Sequence, residues 1–240
     1  MTKARKAGVL ALSFVFLAVV IWVVSYQEMN SDRPVDSYKL TSELKQLTPE
    51  EVDRVLAPYL GNSFWGVELN KIQSDLVRLD WVSQAVVRRS WPDQLTVHIE
   101  EQVPVARWGE NGLVNHKGEV FFPRTLDGFE KFVKLDGRIE NVRELLLKLA
   151  SFQEHLNKLE WKISMLKERA SGVWELKLLN GAIMILDRGD EAHKLERFVT
   201  AYPLLQKRYR KSARVYDLRY SNGFAIKLNQ TDKSDDTNQS

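Results

Sequence analysis

The chain has 240 residues, of which 44% are hydrophobic and 28% are charged, so it is long enough for one or two domains that each bury a core. It contains no cysteine, which excludes disulfides and thiolate metal sites. The formal net charge is +3, and Lys3, Arg5 and Lys6 account for all of it, so the rest of the chain lacks the positive surplus of a general nucleic-acid binder.

The first predicted element is a transmembrane helix over residues 7–26, which read AGVLALSFVFLAVVIWVVSY without a charge. At about 1.5 Å per residue, this run matches the roughly 30 Å hydrocarbon core. Trp22 and Tyr26 lie where interfacial aromatic residues belong, which favours an anchor over the alternative, a cleaved signal peptide. The basic residues 1–6 then lie in the cytoplasm and the remainder outside, in a periplasm, after a polar linker at residues 27–36.

Residues 37–107 are predicted to form two helices followed by two strands. Thr48 can cap the first helix, Pro49 suits its first position, and Glu51 can close a capping box. Apolar residues at helical spacing predict the second helix, with a cap at or near Asn70; they are Leu69, Ile72, Leu76 and Leu79. The runs QAVVRRSW and LTVHIE then predict paired strands.

Residues 108–229 are predicted to form a second unit that is rich in strands. Its hairpin signals are Lys117-Gly118 and Asn180-Gly181, and FVKLDG reads as a further short strand. One helix is opened by Asn141, with Glu144 three residues later. The helix in DEAHKLERFVTAYPLLQKRY is expected to bend or stop near Pro203.

The ordered chain is predicted to end in a tight hairpin. Asn222-Gly223 lies between two alternating apolar runs, which is the strongest short-range hairpin signal. Residues 230–240 read TDKSDDTNQS after Gln230 and are too polar to order by themselves. The hairpin therefore has no later element to cover its outer edge.

Four motifs along the chain are specific in combination: RRSWPDQLTVHIEEQVPVARW, GEVF, LERFVTAYPLL and YDLRYSNGFAIKL. With the N-terminal helix, they resemble the FtsQ/DivIB family of bacterial cell-division proteins, up to about Asn229. The resemblance implies an α+β protein with a single N-terminal transmembrane helix, a POTRA domain of two helices on a small sheet at 37–107, and a mixed, mostly antiparallel β domain at 108–229. It also implies a non-enzymatic, single-pass type II protein of the cell inner membrane, with its domains in the periplasm and concentrated at the division septum.

The resemblance further implies partners and a site. Such proteins recruit and link division proteins, chiefly FtsB and FtsL, help control septal peptidoglycan synthesis, and use the POTRA unit as a second recruiting surface. In the family, the C-terminal strand binds FtsB by strand addition. The matching positions here are Arg219, Tyr220, Asn222, Gly223, Phe224, Ala225, Ile226 and Lys227, with Arg169 as the nearest match to an arginine in the loop before the W-x-L strand. The chain departs from the family at Ser221-Asn222, where Asp-Ser is frequent, and carries an apparent insertion at Ser171-Gly172.

The physical meaning of the last strand has two readings. Its unpaired backbone groups form a template for a partner strand. Phe224, Ile226 and Leu228 either give that surface an apolar grip or pack on the domain core, with Lys227 as an edge gatekeeper. Both readings can hold, because core packing uses a face of the strand and pairing uses its edge.

The residues point to no catalytic, metal or cofactor site. The four histidines fall on separate elements without metal-ligand spacing. Glu100 and Glu101 are adjacent on a strand, so they face opposite ways. Arg88 and Arg89 also face opposite ways and are expected to be solvated, the alternative being that one of them pairs with a neighbouring carboxylate or lies along the sheet. Two alternatives remain: a POTRA-containing adaptor for polypeptide transport, and a membrane-tethered cell-wall hydrolase, which would require a pocket lined by histidine or paired carboxylates.

Overall fold

The structure, a computed structural model, describes residues 14–26 and 33–228. Residues 14–26 form helix α1, which is the described part of the predicted span 7–26. Within the described residues, no helix is both long and apolar enough to cross a membrane. The predicted N-terminal end 1–6, most of the predicted linker and the predicted tail 230–240 lie outside the described residues.

From residue 33 onward the chain divides into two units, the first ending at Glu101 and the second beginning at Gln102. The division lies earlier than the predicted boundary after residue 107. The strand Pro104–Trp108 explains the difference, because it pairs only with strands of the second unit among the residues described.

The first unit packs two helices on a small sheet, as the resemblance implied, and the sheet has three strands. The helices are α2 (Pro49–Leu56) and α3 (Leu69–Val77), and the strands are β1 (Ser37–Leu40), β2 (Val82–Ser90) and β3 (Gln94–Glu101). The sheet order is β1-β3-β2, with β3 parallel to β1 and antiparallel to β2. Fully buried side chains from both layers form the core, among them Val52, Leu56, Ile72, Leu76, Leu95 and Val97.

The two helices of the first unit begin in different ways. The backbone N–H of Thr48 donates to Glu51 Oε2 over 3.0 Å, and Pro49 occupies the first helical position of α2. Glu68 precedes the first residue of α3, so Asn70 lies inside this helix. The side chain of Glu68 makes no capping hydrogen bond, so the prediction of a cap by Asn70 or a residue next to it is wrong.

Arg89 is not solvated as expected, and it binds backbone carbonyls rather than a carboxylate. Its guanidinium donates to the carbonyl oxygens of Phe64 at 2.7 Å, Trp65 at 3.0 Å and Val67 at 2.7 Å. These carbonyls belong to the connection between α2 and α3, where no β-sheet hydrogen bonds are available to them as acceptors. Arg88, on the other face of the strand, is exposed as predicted.

Up to residue 228, the second unit has nine strands and three α-helices. The strands are β4 (Pro104–Trp108), β5 (Gly112–Asn115), β6 (Val120–Phe121), β7 (Lys134–Asp136), β8 (Ile163–Glu168), β9 (Trp174–Leu178), β10 (Ile183–Leu186), β11 (Ala213–Asp217) and β12 (Ala225–Leu228). The helices are α4 (Val142–Leu156), α5 (Glu191–Ala201) and α6 (Lys207–Ser212). The sheet order is β12-β11-β10-β9-β8-β7-β4-β5-β6. Three neighbouring pairs are parallel and the others antiparallel, which confirms a mixed, mostly antiparallel sheet.

Aromatic side chains join the helices to the sheet of the second unit. Phe152 of α4 meets Trp174 of β9 edge-on, with 6.2 Å between ring centroids. Phe198 of α5 meets Tyr216 of β11 at 5.0 Å. These four rings are almost fully buried, so α5 and β11 are held in a fixed relation inside one core.

Several local predictions in the second unit are confirmed. Gly118 and Gly181 adopt φ of 76° and 82° in the turns of the β5–β6 and β9–β10 hairpins, a conformation that glycine adopts without steric cost. Helix α5 ends at Ala201, before Pro203. Asn141 does precede α4, but its side chain does not cap this helix and donates instead to Glu168 at 2.8 Å.

Candidate partner-binding edge

Strand β12 is a terminal strand of the nine-stranded sheet. It pairs with β11 alone, antiparallel, with Asp217 opposite Ala225 and Ala213 opposite Leu228. Within residues 33–228, no strand pairs with its outer edge. Because alternate residues of an antiparallel strand direct their N–H and C=O to opposite sides, part of the β12 backbone points away from the sheet.

The predicted tight hairpin at Asn222-Gly223 is wrong. Residues 218–224 separate β11 from β12, although the two strands do pair as predicted. Gly223 lacks the positive φ that a two-residue turn of this sequence requires. A contact with another element of the second unit accounts for the longer loop.

That contact is made by Arg197 of α5. Its guanidinium donates to the carbonyl oxygens of Ser221 at 2.6 Å, Tyr220 at 2.9 Å and Gly223 at 3.4 Å. One side chain thereby satisfies three backbone acceptors of the loop that leads into β12. The sequence prediction missed Arg197, and its place in the motif LERFVTAYPLL was the only signal.

Phe224 and Ile226 belong to the core side of the edge. Both are half-buried and pack against the core of the second unit. The ring centroid of Phe224 lies 5.0 Å from that of Phe198, and Ile226 lies opposite Tyr216 in the β11–β12 ladder. The core-packing reading therefore holds for these two side chains, while the backbone edge stays open.

The exposed side chains of the edge are different ones. Ala225 and Lys227 are exposed, on the face of β12 opposite Ile226. Tyr220 is 56% exposed, and Asn222 is exposed beside it in the loop. Leu228, at the end of β12, is 37% exposed. A partner strand along this edge would meet these groups rather than Phe224.

Arg219 begins the loop and is held by a carboxylate. Its guanidinium donates to both carboxylate oxygens of Asp217, at 2.9 Å and 2.6 Å. These hydrogen bonds hold the pKa of Asp217 below its usual range. Half of the Arg219 side chain remains exposed, so a partner carboxylate can still reach it.

Arg169 lies at the same end of the sheet as Arg219, but it belongs to the β8–β9 connection and not to loop 218–224. Arg169 follows Glu168, the last residue of β8. Glu168 lies opposite Trp174 of β9, and Trp174 in turn lies opposite Leu186, the last residue of β10. Because β10 runs parallel to β11, this end is also the end of β11 from which loop 218–224 departs. Strands β9, β10 and β11 separate Arg169 from β12, and its guanidinium binds Glu175.

The described residues offer no support for a hydrolase. They contain no group of three or more His, Asp or Glu side chains that could hold a metal ion. A cavity of about 330 Å³ lies in the first unit, lined by Tyr59, Asn62, Ser63, Gly66, Val67, Glu68 and Lys71. Its lining has one carboxylate and no histidine, so it lacks the paired groups that acid–base hydrolysis needs.

Two family models match this chain, one for each unit. Residues 35–102 match the POTRA domain, FtsQ-type, and residues 106–219 match the model of cell division protein FtsQ/DivIB, C-terminal. The second match ends at Arg219, so the rest of the loop and β12 lie beyond it.

Curated relatives cover both units. Cell division protein FtsQ of Xanthomonas campestris is 32% identical over 222 residues, covering 92% of this chain and 78% of the relative. Cell division protein FtsQ of Escherichia coli is 31% identical over 231 residues, covering 92% and 84%. Cell division protein FtsQ of Nitrosospira multiformis is 34% identical over 187 residues, covering 78% of each. The chain belongs to the FtsQ/DivIB family of cell division proteins.

Proposed function

We propose that this chain is a membrane-anchored scaffold of the division machinery that binds FtsB, and FtsL through it, by adding a partner strand to the outer edge of β12. Through these partners it helps control septal peptidoglycan synthesis. In this proposal it is a single-pass type II protein of the inner membrane, with both units in the periplasm at the septum. The first unit is a second recruiting surface.

The open outer edge of β12 carries this proposal. Soluble proteins usually cover, bulge or charge such an edge, because unpaired backbone groups recruit other strands. Here Lys227 is the one charged side chain within the strand Ala225–Leu228. An extended segment beside β12 would gain main-chain hydrogen bonds, and alternate side chains would decide which segment fits.

The loop supports the proposal because it is already ordered. Arg197 holds three of its carbonyl groups, and Phe224 fixes its end against Phe198. A preformed loop lowers the ordering cost that a partner would otherwise meet on binding. Tyr220, exposed on this loop, then offers a rigid aromatic side chain beside the edge.

Cysteine crosslinking tests strand addition directly, because the chain contains no cysteine of its own. We expect Ala225→Cys and Lys227→Cys each to crosslink one preferred position of FtsB from the same organism. The two preferred FtsB positions should differ by two residues, because neighbouring strands keep register. Lys177→Cys, exposed on β9 inside the sheet, is the matched control and should give no FtsB crosslink.

Crosslinks that lack the two-residue spacing would contradict strand pairing. Absence of FtsB crosslinks from both β12 positions, with FtsB bound to the chain, would move the interface elsewhere.

A further inference from the structure

Helix α6 and the start of β11 carry a cluster of positive charge that the proposed strand addition does not use. Five basic residues lie between positions 207 and 214 with no acid among them: Lys207, Arg208, Arg210, Lys211 and Arg214. All five are exposed. Arg208 lies over the ring of Tyr209 and donates to its hydroxyl at 2.8 Å. In the part of the chain that the structure describes, none of the five forms a salt bridge.

Several other basic residues of the second unit form salt bridges. Lys158 binds Glu196 and Lys167 binds Asp136, each over 2.7 Å. Arg188 binds Glu144 over 2.8 Å. Like charges three and four residues apart on one short helix repel each other, which opposes the favourable interaction of Arg210 and Lys211 with the C-terminus of α6.

The cluster lies at one end of the free edge. Helix α6 contacts β12 and leads directly into Ala213, which pairs with Leu228, the last described residue of β12. Arg219 and loop 218–224 lie at the opposite end of β12. At about 3.3 Å per residue, a partner segment beside the four residues of β12 needs only about two or three further residues to reach α6.

We infer that α6 extends the edge site and selects a partner segment that carries carboxylates directly beyond the residues that pair with β12. This inference rests on the proposed function and names the chemistry of its partner. Exposed charges act over a Debye length of about 8 Å at physiological ionic strength, so the cluster attracts an acidic segment as it arrives. Charge complementarity of this kind raises the association rate and excludes segments that are basic at the same place.

A protein segment is the occupant that fits both features. An anionic lipid headgroup would satisfy the charge of α6 but cannot pair with β12. The chain's own residues 229–240 are the other candidate occupant, since Asp232, Asp235 and Asp236 follow Leu228 in the sequence. The two competitors predict different outcomes in the same measurement.

The test uses the full chain in nanodiscs of zwitterionic lipid and, in a parallel series, in nanodiscs that also contain an anionic lipid. Each is titrated with FtsB from the same organism at about 50 mM and about 300 mM NaCl. The variant Lys207→Gln, Arg210→Gln, Lys211→Gln should bind FtsB about tenfold more weakly at low salt, mainly through slower association. At high salt it should approach the unaltered chain. Arg124→Gln, Lys131→Gln is the control; it removes exposed charges after β6, at the other edge of the sheet, and should bind as the unaltered chain does.

Unchanged FtsB affinity and salt dependence in the α6 variant would overturn the inference. If the Lys227→Cys crosslink persists in that case, strand addition stands without it. Tighter FtsB binding by the α6 variant would identify residues 229–240 as the occupant. An effect that requires anionic lipid in the nanodisc would identify the headgroup, and either result overturns the acidic-segment assignment.

Discussion

Tyr220 and Phe224 are close in sequence but contribute differently to the edge. Tyr220 is mostly exposed, whereas Phe224 packs on Phe198 inside the core. Substituting Phe224 would therefore lower the stability of the second unit as well as disturb β12. Among aromatic residues of the loop, Tyr220 is the one whose removal separates binding from folding.

We expect Tyr220→Ala to weaken FtsB binding by about tenfold or more, as for an aromatic residue at an interface. Its free energy of unfolding should stay within about 0.5 kcal/mol of the unaltered chain, because exposed substitutions cost little. Titration with FtsB and thermal unfolding measure the two effects. Normal FtsB binding by this variant would remove Tyr220 from the interface.

Arg197 is expected to act on binding through the loop. Arg197→Met removes its three hydrogen bonds and should destabilise the second unit by about 1–3 kcal/mol. Amide exchange in residues 218–224 should become faster, and FtsB affinity should fall by about tenfold. Arg124→Met, an exposed arginine after β6, is the control. A stability loss without faster exchange in the loop would limit Arg197 to a structural role.

Glu168 gives the second unit a defined response to acid. Its side chain is 4% exposed, and this burial by itself raises the pKa of the carboxyl group. Hydrogen bonds from Asn141 and Arg188 lower the pKa by more than burial raises it, so the pKa of Glu168 lies below its usual range. A lowered folded-state pKa stabilises the unit above the unfolded pKa of about 4.3, and this stabilisation is lost as pH falls through the folded pKa.

We therefore expect Glu168→Gln to be less stable by about 1–3 kcal/mol at neutral pH and to lose less stability on acidification. Urea unfolding at a series of pH values measures both effects. Glu140→Gln, at an exposed carboxyl nearby in sequence, is the control. Equal acid sensitivity of the Glu168 variant and the unaltered chain would show that other groups control the response.

At the scale of elements, sequence patterns predicted the turns and strands whose conformation depends on neighbouring residues alone. The hairpins at Gly118 and Gly181 formed as predicted because their turns need only a glycine at positive φ. The prediction of a tight turn at Asn222 failed because Arg197, 24 residues away from Ser221, holds the loop in another shape. Strand β8 was missed because a register shift between Ile163 and Met165 interrupts its alternation.

The edge element makes its own prediction. Amides of β12 that face away from β11 should exchange rapidly in the free chain and slowly with FtsB bound, at alternate residues only. Amide exchange followed residue by residue by NMR measures this pattern. The strands β9 and β10, inside the same sheet, are the internal reference. An equal gain in protection at every residue of β12 on FtsB binding would indicate general covering rather than strand pairing.

At the scale of the whole molecule, the two units have separate cores. The family motifs predicted both units, because patterned helices and strands lie close in sequence within each. They did not predict the nine-strand order, in which β7 separates β4 from β8 through parallel pairings between distant segments. Such pairings depend on tertiary packing, which no local pattern records.

Separate cores predict separate stabilities. Ile72→Ala, fully buried in the first unit, should destabilise that unit by about 2–5 kcal/mol and leave FtsB binding at β12 unchanged. Met184→Ala, equally buried in the second unit, should destabilise the second unit and leave the stability of the first unchanged. It should also weaken FtsB binding near the unfolding temperature of the second unit. Amide exchange of the full chain reports on both units at once. Faster exchange in both units after either substitution would mean that they unfold together.

The short ladder between β11 and β12 also has a mechanical meaning. In the proposed complex, a strand bound to the outer edge of β12 would pass any pulling force on the partner into β12, and then into the four residue pairs that join β12 to β11. Force along the strands would load these hydrogen bonds together, whereas force across the sheet would break them one after another. Arg197 and Phe198, adjacent on α5, hold the loop before β12. Separation of β12 from β11, one residue pair after another, would therefore stop at this loop.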